Sequence, residues 1–150
     1  MIFSNRRDVV LASALAAGIV GVSAGTMLFA KQAKKGERVD IVITTVKAGK
    51  QPQFEDYMTK FEAAVEKARK IDATMEKVAA QTRALYPAKA NEDGTFTYVF
   101  LMDPVLPDPS SYDMIEILKM VLKEDEVNRL EEQFEDALVG PQHVLELVQK

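Results

Sequence analysis

An α+β fold of the split βαβ, or ferredoxin-like, kind is what this sequence predicts: four antiparallel strands with helices on one face. Three observations carry the prediction. Val39–Val46 is dense in β-branched residues, which favour pleated backbone. Phe54, Tyr57, Met58, Phe61, Val65, Ala68 and Ile71 recur at spacings of three and four, the mark of an amphipathic helix. Asp93-Gly94 is a turn signal that leads into Thr95–Met102, the clearest strand of the chain.

The first strand is apolar on both faces, so cover is expected on both sides. It ends in the turn Lys47-Ala48-Gly49-Lys50, and Pro52 falls at a first helical position. The helix that follows runs on through Met75 and Val78 to about Ala80, or breaks near Ile71-Asp72-Ala73; periodicity allows either. Asp56 and Lys60, like Glu66 and Lys70, stand four apart on its other side, the spacing of solvated ion pairs.

Gln81–Ala90 reads as a helix end or a strand. Pro87 restricts any strand there to an edge or a bulge. The turn before Thr95 makes Leu85–Ala90 the expected hairpin partner of Thr95–Met102. Asp103–Pro109 holds Pro104, Pro107 and Pro109 and is expected to be stiff and extended. Ser110 is expected to cap a helix that carries Asp113 in its first turn and is apolar nearly all round to Leu122. A second helix from near Asp125 presents Val127, Leu130, Phe134, Ala137 and Leu138, and Gly140-Pro141 ends it. Gln142–Gln149 alternates, with His143, Leu145 and Leu147 on one face, a final strand. The sheet face away from the helices still carries apolar residues. A homodimer formed through a two-fold axis is therefore expected.

The chain has 150 residues, which suits one domain plus an appendage. Met1–Asp8 is a short basic segment with Arg6 and Arg7, and Val9–Ala30 carries no charge. As a helix that run reaches about 33 Å, enough for a bilayer core of about 30 Å. Its glycines and serines keep it mildly apolar, and Val22-Ser23-Ala24 offers the small residues of a signal-peptidase site. Asn5-Arg6-Arg7-Asp8-Val9-Val10 resembles a bacterial twin-arginine export signal. Residues 1–30 are thus read as an export signal or membrane anchor, 31–38 as a polar tether and 39–150 as the folded domain. The expected location is periplasmic or secreted, with membrane contact only through residues 9–30 when they are uncleaved.

The absence of cysteine excludes disulfides, thiolate metal sites and cysteine nucleophiles. A net charge of −4 without a basic stripe argues against nucleic acid as a partner. No phosphate-binding glycine loop, HExxH or GxSxG motif is present. Asp103, Asp108 and Asp113 lack the spacing and glycine of an EF-hand, so no metal is expected. No cofactor is expected either.

The junction Val46-Lys47-Ala48-Gly49-Lys50, followed by Phe54 opening an amphipathic helix, resembles the first strand-to-helix junction of dimeric α/β-barrel proteins of the antibiotic-biosynthesis-monooxygenase type. The resemblance spans roughly Val39–Gln149. It implies two ferredoxin-like protomers in a dimer and a pocket between each sheet and its helices. It also implies a choice of activities, since several members oxidise aromatic or quinol substrates without a metal. No catalytic residue carries over.

The candidate pocket residues are Tyr98, His143, Asp103 and Tyr86. Tyr98 shares a face with Phe96, Phe100 and Met102, where its hydroxyl can orient a ligand. His143 is the sole histidine and the natural proton carrier near neutral pH. Asp103, ending the strand before a stiff loop, can accept a substrate hydroxyl. Three functions follow. The first is an exported dimer that binds a small apolar or aromatic ligand. The second is a cofactor-free, monooxygenase-like oxidoreductase. The third is a membrane-tethered interaction module that docks through the acidic helices Ser110–Leu138.

Overall fold

The computed structural model describes residues 32–150. The segment read as an export signal, with Arg6 and Arg7, and the apolar run 9–30 lie outside the described residues. Strands β1 (Arg38–Val46), β2 (Thr82–Leu85), β3 (Phe96–Met102) and β4 (His143–Val148) form one antiparallel sheet in the order β2-β3-β1-β4. Helices α1 (Gln51–Ala68), α2 (Ala73–Gln81), α3 (Met114–Lys119) and α4 (Glu124–Ala137) complete the set, with a 3-10 turn over Pro109–Tyr112. This is the ferredoxin-like α+β arrangement with two helices added, α2 before β2 and α3 before α4.

Strand β1 is central because both of its edges are paired. Ile43 sits opposite Val99 of β3 and His143 of β4, and Ile41 opposite Leu101 and Leu145. Side chains alternate across a strand, so Val42, Val46, Tyr98, Phe100 and Met102 all point to the helices and are buried. Phe54, Tyr57, Phe61 and Val65 of α1 and Val127, Leu130 and Phe134 of α4 close that side. Phe54 centres an aromatic cluster, 4.5 Å from the Tyr98 ring and 5.9 Å from Phe134.

Between β1 and α1, Gly49 takes φ +77°, a left-handed conformation that glycine adopts without a steric penalty. Asp40 is buried on the core face, and the guanidinium of Arg38 clasps it, Nε to Oδ1 at 2.7 Å, while reaching Glu146 at 2.9 Å.

Two local details differ from the expectation, and one open alternative is decided. The second strand is Thr82–Leu85, directly after α2, not Leu85–Ala90. The Asp-Gly signal was sound as local chemistry, since Gly94 has φ +81° and Asn91 N–H donates to the Thr95 carbonyl at 2.8 Å. That turn lies inside the 86–95 loop that links β2 to β3, and the loop, not the turn alone, closes the hairpin. The first helix takes the broken alternative: α1 ends at Ala68, and Asp72 caps α2 by accepting from Thr74 N–H at 2.7 Å. Ser110 does not cap the next helix. Asp108 accepts from Ser110 N–H, and Asp113 caps α3 through Ile115 and Glu116 N–H.

The segment read as a tether is fastened to the domain. Ala33 N–H donates to Asp103 Oδ1 at 2.6 Å, and Gly36 and Glu37 exchange hydrogen bonds with Gln149. Among the described residues no helix is long and apolar enough to cross a membrane.

Candidate functional site

Of the four candidate residues, the fold brings two together. Tyr98 lies on the core face of β3 and is fully buried. Tyr86, one residue past β2, packs its ring edge-on against Tyr98 at 5.4 Å and is half exposed. Both hydroxyls turn to α1. Tyr98 donates to Glu55 Oε1 at 2.9 Å, which Gln51 Nε2 also meets at 2.9 Å. Tyr86 donates to Glu62 Oε1 at 3.4 Å. Glu55 and Glu62 stand seven residues apart, two turns along one helix face.

The result is a rim of two phenols and two carboxylates where the β2–β3 edge meets α1. Neither carboxylate forms an ion pair among the described residues, whose bridges all involve other acids. Electrostatics follow from that. Burial, then the Glu62 charge and its hydrogen bond, push Tyr86 up to about 12. Burial and the bond to Glu55 also raise Tyr98. Burial raises Glu62, with the Tyr86 hydroxyl opposing. Both phenols therefore stay protonated at neutral pH, and the site is a region of negative potential.

The other two candidates lie elsewhere. His143 is on the opposite face of the sheet, exposed, opposite Ile43. It cannot meet Tyr98 through the sheet, so no single pocket holds both. Asp103 stands at the far end of β3, where Oδ1 accepts from Ala33 N–H and Oδ2 from Arg83 Nη2 at 3.1 Å. Both oxygens are engaged in holding chain segments together. Glu55 and Glu62 were absent from the sequence reading. Their only signal was that, unlike Asp56 with Lys60, neither has a cation four residues further on.

A second feature lies on the helix layer. An open cleft of about 900 Å3 runs between α3 and α4 with Tyr57 of α1 at its base. Among the described residues no group of three or more His, Asp or Glu converges to hold a metal ion.

No protein-family model and no curated protein matches the chain. Two solved structures resemble it weakly. One, from Bordetella bronchiseptica, is 12% identical with a TM-score of 0.42 and covers 77% of this chain and 99% of its own. The other, from Caulobacter crescentus, is 14% identical with a TM-score of 0.40 and covers 77% of this chain and 92% of its own. Both are provisionally described as antibiotic biosynthesis monooxygenases.

Proposed function

We propose that the chain is an exported, homodimeric α/β-barrel protein that binds a small ligand at the Tyr86–Tyr98 rim, and that the ligand joins an apolar or aromatic body to a positive charge. One observation carries this reading: two tyrosine rings stand in edge contact beside two carboxylates that have no cation of their own. Aromatic faces attract cations through the ring quadrupole, and an ionised carboxylate completes the match. Tyr86 is the movable wall, being half exposed at a strand end, while Tyr98 and Gln51 fix Glu55 in place. Export is supported by the Arg6-Arg7 leader, and dimerisation by the apolar outer face of the sheet.

Benzyltrimethylammonium, benzyl alcohol and benzoate have similar bodies and differ in charge, so calorimetric titration with all three tests the ligand class. The cation is expected to bind about tenfold or more tightly than the neutral compound. Tyr86→Ala should abolish that preference and Glu62→Gln should reduce it. Equal binding of the three probes, or no binding of any at millimolar concentration, would overturn the reading. Oxygen uptake with a quinol would favour the monooxygenase-like alternative instead.

A further inference from the structure

The segment that enters the domain leaves no slack. The uncharged run 9–30 stops at Ala30. Three residues later, Ala33 N–H is already bonded to Asp103 Oδ1 at 2.6 Å. Three residues of chain reach about 11 Å at most, so the end of the run lies within that distance of Ala33. A turn follows. Lys34 N–H donates to the Glu37 carboxylate at 2.7 Å, and Glu37 N–H to the Lys34 carbonyl at 2.9 Å. Within it Gly36 takes φ +87° and donates to the Gln149 carbonyl at 2.8 Å. Residues 33–38 are therefore part of the fold and cannot act as a spacer between it and the run.

A second observation concerns the end of the sheet where this happens. Val105 N–H donates to the Arg38 carbonyl at 2.9 Å, and Arg38 stands opposite Val148. Residues 33–38, the 103–107 loop and the end of β4 thus meet at one end of the domain. Its surface joins apolar and basic side chains. Val148 is 62% exposed, on the opposite side of β4 from Leu145 and Leu147, and Pro107 is exposed on the loop. Lys34 and Lys35 are exposed and form no ion pair among the described residues. With Lys31 they put three lysines in five residues. The acids beside them are engaged: Glu37 with Lys34 N–H, Asp103 with Ala33 and Arg83, Glu146 with Arg38, and Asp108 with Ser110.

We propose that this end of the domain rests on an anionic membrane surface, with Lys34 and Lys35 at the lipid phosphates and Val148 and Pro107 at the headgroup boundary. The inference rests on residues 1–30 staying on the chain as an anchor, the second of the two readings given for them. Lysines beside a membrane span are drawn to anionic headgroups, and a small apolar contact adds to that attraction. The anchor sets where the domain is, and this surface sets which way up it stands. The 86–95 loop joins the other ends of β2 and β3, about 25 Å away at 3.4 Å per residue of strand. Because the end of the sheet makes the contact, the outer apolar face and the Tyr86–Tyr98 rim stay free.

The chain has no cysteine, so a single introduced cysteine carries a probe without background. Pro107→Cys, Val148→Cys and, on the far loop, Glu92→Cys all change exposed positions. Each full chain is labelled with a fluorophore and reconstituted into vesicles of phosphatidylcholine and phosphatidylglycerol that contain a lipid with a nitroxide headgroup, which quenches only near contact. Quenching at the Pro107 and Val148 positions should exceed that at Glu92 several-fold. Lys34→Gln/Lys35→Gln should bring it down towards the Glu92 value, as should raising the salt. Equal quenching at the three positions, or no effect of the lysine change, would overturn the proposal, while flotation of the chain with the vesicles would leave the anchor reading standing. A chain that does not float with them would overturn both.

Discussion

At the residue scale, the chemistry of the rim rests on groups whose roles are set by neighbours. Tyr98 was legible as an inward-facing phenol because strand parity put it with Phe96, Phe100 and Met102. Its partner was not, because Glu55 and Glu62 look like any charges on a solvated helix face until β2 brings Tyr86 over them. The ion pairs show the same limit. Asp56 does meet Lys60 at 2.6 Å, but Glu66 pairs with Arg69, not Lys70. Arg69 is drawn there because Glu76 of α2 holds its other side at 2.6 Å. Glu62 makes a specific pH prediction. Burial raises its folded value above the unfolded one. Its contribution to stability is therefore present below the ordinary glutamate range and is lost as pH rises through the raised folded value. The difference in unfolding free energy between the parent and Glu62→Gln should shift in that window in favour of the variant. A difference that does not change with pH would contradict the burial assigned to Glu62.

At the element scale, the long helix, β1, β3, α4 and β4 were legible because each spans several periods of its own pattern. The short elements were not. Strand β2 has four residues and follows α2 with no loop; Thr82 Oγ1 still donates to the Val78 carbonyl at 2.8 Å as the chain turns from helix to strand. Such a short strand is placed by its partner, not by its own composition, and Asp93-Gly94 drew the sequence reading too far along the chain. What holds β2 at its outer end is Asp103, which bonds to Arg83 on that strand and to Ala33 of the entering segment. Asp103→Ala should cost about 2 kcal/mol, measured by urea unfolding, and should speed amide exchange at Ala33. A variant as stable as the parent would show that the clamp is idle. A larger loss is expected from Phe54→Ala, about 3–5 kcal/mol, because Phe54 touches Tyr57, Tyr98 and Phe134 in the sealed core.

At the scale of the whole molecule, the two faces of the sheet are unequal. One is closed by α1 and α4. The other presents Ile41, Ile43, Val99 and Leu101 half buried, with Leu85, Leu145 and Leu147 exposed. Strand pairing sets these in rows across the sheet: His143–Ile43–Val99–Leu85 and Leu145–Ile41–Leu101–Arg83. An apolar surface of this kind calls for cover, and these rows are where the proposed second copy would pack through a two-fold axis. The sequence indicated this need through the two apolar faces of Val39–Val46. It did not show that His143 would stand at the margin of that surface and far from Tyr98, because faces follow from register, and the register is set by pairing across the sheet.

Sedimentation equilibrium of the purified chain, with Ile43→Lys in parallel, tests the paired-sheet account most directly. It predicts twice the mass of a single chain for the parent across the micromolar range, and a single chain that remains folded for the variant. A parent that sediments as one copy at every concentration would contradict it.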